Sequence, residues 1–225
     1  RDGYSAYDFQ GVFQAVFTFA TVDLSAFYFD IRKDVLYCDG NTVERKAART
    51  VLDILFQRLT TWLAPVLVFT TEEVWLERFE GEGCSVHLED FPPVAVMWQD
   101  TALAEKWSTI RAARRVVTAA LEIQRSEKVI GASLEAAPTV YVQDAQMKDD
   151  LTSVPFADIC ITSSISVVVG DTPEDAFTLE GGDQSIAVVF EKATGNKCQR
   201  CWKILPDVGT HPHPQTCQRC SDALS

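Results

Sequence analysis

The chain has 225 residues, 47% of them hydrophobic, enough for one sizeable core with one or two satellites. Its apolar runs are interrupted by charge short of the roughly eighteen residues that a membrane span needs, and no basic segment followed by a hydrophobic stretch opens it. Neither a span nor a secretory signal is therefore expected. A formal net charge of −12 argues against a polyanion as a partner of the whole surface.

The charge is unevenly spread. Residues 1–134 carry −5, residues 135–190 carry −9, and the tail 191–225 carries +2. A polyanion should meet the tail and part of the first segment and avoid the middle. Arg1 is not an initiator methionine, so the chain is expected to be a piece of something longer.

In chain order, residues 8–29 read as a helix. Phe9, Phe13 and Phe17 recur at i, i+4, i+8, with Val12, Val16 and Leu24 widening the stripe, and these phenylalanines are expected in the core. Asp39-Gly40-Asn41 is a turn. Asn41 with Glu44 predicts a capping box for a second helix, whose apolar face runs Ala48, Val51, Leu52, Leu55, Leu59, Trp62 and Leu63 until Pro65 interrupts it. Thr70 with Glu73 predicts another capping box, opening a short helix through Val74, Trp75 and Leu76.

Gly81, Gly83, Pro92 and Pro93 mark a long loop. A helix over about 101–128 follows, with Leu103, Trp107, Ile110, Val117 and Leu121 on one side and Arg111, Arg114, Arg115 and Arg125 clustered along it. After Gly131, β-rich runs at Val140–Val142, Ile159–Ile161, Ile165–Val169 and Ile186–Phe190 predict a small α+β unit. A polar helical stretch at 144–153 lies between the first two.

The tail carries the strongest chemical signal. Cys198, Cys201, Cys217 and Cys220 form two C-x-x-C pairs with fifteen residues between them. Each pair can place two sulfurs on one tight turn, and four thiolates at about 2.3 Å complete a tetrahedral shell around Zn²⁺. Such a site is closed to water, so its work is structural. Zinc binding worth roughly 10–16 kcal/mol can order a tail with little apolar core.

His211 and His213 lie inside the zinc loop and are alternative ligands only if a cysteine is not used. Cys38, Cys84 and Cys160 have no partner spacing and read as reduced thiols, which favours a reducing, intracellular setting. Phosphate-loop, serine-nucleophile and zinc-protease motifs are absent, so catalysis by this piece alone is not expected. Arg200, Trp202, Lys203 and Arg219 beside the knuckles, with Arg111, Arg114 and Arg115 on the long helix, suit RNA, whose phosphates take cations and whose bases stack on aromatic faces. Trp202 could equally cover the knuckle as a miniature core.

Four stretches carry a resemblance. YDFQGVFQAVFTFATVDLSAFYFDIRKDVLY (7–37) resembles the start of the anticodon-binding helical domain of bacterial-type isoleucyl-tRNA synthetases, and WLAPVLVFTTEEVW (62–75) resembles a proline-containing helix junction of that domain. KVIGASLEA (128–136) is similar to the helix-to-strand crossing, and CQRCWKILPDVG with the later CQRC (198–220) is similar to the C-terminal zinc finger, a module shared with some DNA-repair glycosylases. Val35 departs from the family, which often has a basic residue there.

The resemblance implies a mainly α chain: a class I anticodon-binding bundle over 1–130, a small α+β junction over 131–190 and a four-cysteine zinc finger over 191–225. It implies a parent ligase that activates isoleucine with ATP and esterifies it to tRNA(Ile). ATP would not be held by this piece, which lacks the catalytic and editing domains. One structural zinc, a monomer, no membrane and the cytoplasm complete the expectation. The alternatives are a DNA-binding zinc module and a purely bracing domain.

Overall fold

The computed structural model describes residues 1–225, which form two compact units, Arg1–Trp98 and Gln99–Ser225. The first is all helical. A single turn, α1 (Asp2–Ser5), precedes α2 (Phe9–Thr18), which starts where the Asp8 carboxylate accepts a hydrogen bond from the Gly11 N–H at 2.9 Å. The winding relaxes to i→i+5 bonding over Phe19–Phe29 and returns to α geometry in α3 (Asp30–Cys38).

Helix α4 (Val43–Leu63) follows, then α5 (Val68–Leu76), and α4 packs against both α3 and α5. Thr42, one residue after the expected Asn41, caps α4 by accepting from the Arg45 N–H at 3.2 Å. Thr70 opens nothing: α5 has already begun at Val68, after Pro65 forces the break.

Burial corrects the reading of the first helix. Phe9, Phe13 and Phe17 are between 40% and 52% exposed, and the buried stripe is instead Leu24, Ile31, Val35 and Cys38. The joined helix Phe9–Cys38 is 30 residues long, and its most apolar window has a mean hydropathy of 1.4. By length and composition alone it could cross a membrane, against expectation, because Asp23 is the only charge between Asp8 and Asp30.

Ala64, Trp75 and Val86 form a buried cluster in this unit, with Phe56 and Phe79 against them. The Trp75 and Phe79 rings lie 4.4 Å apart between centroids. Glu72 fastens the following loop by accepting from Ser85 Oγ and the Val86 N–H, both at 2.9 Å. On α4, Thr60 and Thr61 are buried, and each hydroxyl donates to the carbonyl four residues back.

The second unit opens with the long helix α6 (Thr101–Ser126), capped by Asp100. Its buried face is Ile110, Ala113, Val116, Val117, Ala120 and Leu121, while Leu103 remains exposed. Lys128 ends it in the left-handed region (φ 61°), with its N–H and that of Val129 donating to the carbonyls of Arg125 and Gln124.

Strand β1 (Thr139–Val142) leads to α7 (Ala145–Thr152), α8 (Phe156–Cys160) and β2 (Ser166–Val169), and β3 (Ile186–Val189) closes the sheet. The order is β2-β1-β3, parallel between β1 and β2 and antiparallel between β1 and β3. Helix α6 packs on β3, α7 and α8, burying Val140, Val142, Ile186 and Val188.

Ile159–Ile161, expected as a strand, belongs to α8 and its cap. Pro155 precedes the helix, and Ile161 stops it at φ 58°. The tail is a two-stranded ribbon, β4 (Asn196–Lys197) and β5 (Ile204–Leu205), followed by α9 (Gln218–Asp222). Gly195, at φ 119°, must be glycine, because a Cβ there would overlap the Leu205 carbonyl.

Candidate metal centre and nucleic-acid interface

The four tail cysteines meet. Cys198 and Cys201 sit on the turn after β4, Cys217 caps α9, and Cys220 lies one turn into it. All four are buried, and their sulfurs lie within 4.8 Å of one another. Cys201 and Cys217 Sγ are 3.7 Å apart, against the edge of about 3.8 Å of a tetrahedron with 2.3 Å Zn–S bonds. A disulfide needs about 2.05 Å.

Backbone donors face the sulfurs, the Cys217 N–H reaching Cys198 Sγ at 3.4 Å. Burial opposes a Cys198 thiolate, but N–H groups of Cys201, Cys217 and Arg200 outweigh it and bring that thiol down to about 6. Burial pushes Cys201 up to about 12, and Cys217 and Cys220 to about 11. Four sulfurs that resist ionising together without a cation, yet gather within 4.8 Å of one another, fit one structural zinc.

The histidines stay outside this set. His211 Nε2 meets Asp207 Oδ2 at 3.0 Å, and that same oxygen accepts from the Gln218 N–H at 2.8 Å, tying the loop to the start of α9. His213 Nδ1 meets Ser221 Oγ at 3.2 Å.

The cations expected around the centre divide into different positions. Arg200 is half-buried and hydrogen-bonded to the Cys220 sulfur, where it offsets the negative charge of the thiolates. Lys203, 12% exposed, is ion-paired with Asp158 of α8, and its neighbour Ile204 donates its N–H to Ser163 Oγ at 2.7 Å. These contacts fasten the finger to the α+β unit. Arg219 is half-buried on α9.

On α6, Arg114 turns inward and donates to the Ile159 carbonyl at 2.8 Å, Arg111 is half-buried, and Arg115 is exposed. The arginines clustered in sequence therefore do not form one outward row.

Trp202 stands apart. It is 61% exposed, at φ 67°, and the Lys197 ammonium sits 5.6 Å from its ring centroid. A left-handed backbone costs a bulky residue about 1–2 kcal/mol, and no burial of the ring offsets it. Lys197 escapes sequence reasoning because its relation to Trp202 depends on the turn.

Residues 1–141 match the family described as the anticodon-binding domain of tRNA ligase. The chain belongs to that family. Residues 195–223 match a second family, the zinc finger found in FPG and IleRS. Along its full length the chain is 62% identical to an isoleucine–tRNA ligase of Ruegeria pomeroyi and 51% identical to one of Brucella abortus. It is 49% identical to one of Agrobacterium fabrum, again over all of this chain. It spans 23% of the length of each of these relatives. An anticodon-binding domain joined to this finger leaves a glycosylase-type DNA module with no account of residues 1–141.

Proposed function

We propose that the chain is the tRNA-binding portion of an isoleucine–tRNA ligase, and that the rest of that polypeptide activates isoleucine with ATP and transfers it to tRNA(Ile). The observation that carries this is the anticodon-binding family match over 1–141 on the same chain as a four-cysteine centre that holds an exposed, strained tryptophan. In this reading 1–130 is the anticodon-binding portion, 131–190 a junction and 191–225 the zinc finger.

Trp202 stacks on an unpaired base, with Lys197 beside it. Arg115, Arg111 and Arg219 contribute phosphate contacts. Lys203, Arg200 and Arg114 act mainly by holding the finger and α8 in place. The exposed Phe9, Phe13 and Phe17 face packs against another part of the ligase polypeptide, so no membrane is invoked, and the ligase works as a cytoplasmic monomer.

The test is a titration of the zinc-loaded chain with a tRNA(Ile) transcript and an unrelated tRNA transcript. Tighter binding of the first is expected, and equal binding would overturn the assignment of tRNA(Ile).

A further inference from the structure

The first unit is acidic, with eight Lys/Arg against fifteen Asp/Glu over residues 1–98. Three of its eight cations nevertheless converge on one place. Lys46, Arg49 and Arg78 line an open cavity of about 670 Å³ between α4 and the end of α5, with Thr50, Leu52, Asp53 and Phe56. We infer that this groove is a further RNA contact, a seat for consecutive backbone phosphates, distinct from those proposed for the zinc finger and α6. The inference rests on the tRNA-binding reading and deepens it by assigning a phosphate subsite.

The three cations are prepared differently. Arg78 is pinned. Its guanidinium pairs with Asp53 and lies 5.2 Å and 5.5 Å from the Phe56 and Phe79 ring centroids. A guanidinium held on one side by a carboxylate and two rings offers its remaining N–H groups in a set direction, which suits a phosphate fork. Lys46 and Arg49 are exposed and engaged by no ion pair or side-chain hydrogen bond.

Lys46 and Arg49 lie i, i+3 along α4, about 4.5 Å apart in rise, and Arg78, paired with Asp53 at i+7, neutralises that carboxylate and places a third cation about 10 Å from Lys46 along the helix. A row of cations of that length, open to solvent, fits an extended chain of phosphates better than a single enclosed anion. In a unit carrying −7, other faces repel a polyanion, so this cluster also sets where it can approach.

The anionic chain itself is a rival occupant, since a second copy carries −12. The test uses the zinc-loaded chain with Lys46→Gln and Arg49→Gln together, both exposed and so without cost to the fold, checked by an unchanged melting curve. Binding is titrated against salt with the tRNA(Ile) transcript and with an unrelated tRNA.

Removing two phosphate contacts should flatten the slope of log K against log salt by about 1.4–1.8 for both RNAs, which weakens binding about 25- to 60-fold at 0.1 M salt relative to 1 M. The charge-preserving pair Lys46→Arg and Arg49→Lys should restore the slope. Unchanged slopes overturn the inference, as does an unchanged RNA slope with loss of self-association in sedimentation, which would assign the groove to a second copy. If both RNAs bind equally but the slope falls, the tRNA(Ile) assignment fails and the groove stands. No binding of either RNA by the unsubstituted chain overturns both.

Discussion

Replacing Trp202 with glycine separates display from packing, because the two roles predict opposite outcomes. The indole is 61% exposed, so little apolar burial is lost, and the ring contact with Lys197 at 5.6 Å is worth about 0.5–1 kcal/mol at an exposed site. Glycine adopts φ 67° freely, which relieves about 1–2 kcal/mol of backbone strain. The more flexible unfolded chain offsets roughly 0.4–1 kcal/mol of that relief. The sum leaves stability within about 1 kcal/mol of the parent.

Affinity for tRNA should meanwhile fall by about 1–3 kcal/mol, the value of one base–aromatic stack, or roughly 5- to 150-fold. Denaturant unfolding and tRNA titration of the same zinc-loaded preparation read both numbers. A tryptophan that served as the core of the knuckle would instead cost about 3–5 kcal/mol on truncation. Destabilisation of that size, with tRNA affinity unchanged, would refute the stacking role.

Other predictions follow from the same geometry. Lys203→Met leaves Asp158, itself only 27% exposed, without its partner. It should lower the stability of the second unit by about 1–3 kcal/mol, a discount on the usual cost because Asp158 can regain some water, and it should leave the salt slope of tRNA binding unchanged. Phe13→Gln should cost this chain about 1–2 kcal/mol, since the ring is already partly buried at 40% exposure. On the proposal that the rest of the ligase covers this face, the same change in the full-length polypeptide should cost about 0.6–1.2 kcal/mol more; equal effects in both would show an uncovered face. The Asp207 carboxyl is held below its ordinary value of 3.8 by the Gln218 N–H, against a smaller opposing effect of burial, with His211 adding to the lowering. Its contribution is therefore present above the ordinary carboxylate range and lost as pH falls through the folded value. Asp207→Asn should remove that acid-side loss, seen as a shallower decline of the melting point below about pH 4.

Local signals were legible in sequence where one element decides the outcome. The helix over 101–126 and the strands at 139–142, 166–169 and 186–189 lie close to where periodicity places them. The zinc quartet was legible because its spacing is itself the constraint. Ile159–Ile161 misled because three apolar residues in a row fit a strand or a buried helical turn equally well, and Pro155 and the left-handed Ile161 decide between them.

The Phe9, Phe13 and Phe17 stripe marks an apolar face but carries no information on what covers it. Thr70 and Glu73 had capping spacing inside a helix already begun. Arg114 belongs to a sequence cluster yet turns toward Ile159. The groove of Lys46, Arg49 and Arg78 joins residues about thirty positions apart, so only packing reveals it.

The most direct measurement is tRNA(Ile) binding and zinc content on one preparation, before and after exhaustive chelation. One zinc per chain is expected, and its removal should unfold residues 191–225 and abolish the preference for tRNA(Ile) over an unrelated tRNA. Absence of stoichiometric zinc, or a preference that survives chelation intact, would contradict the account.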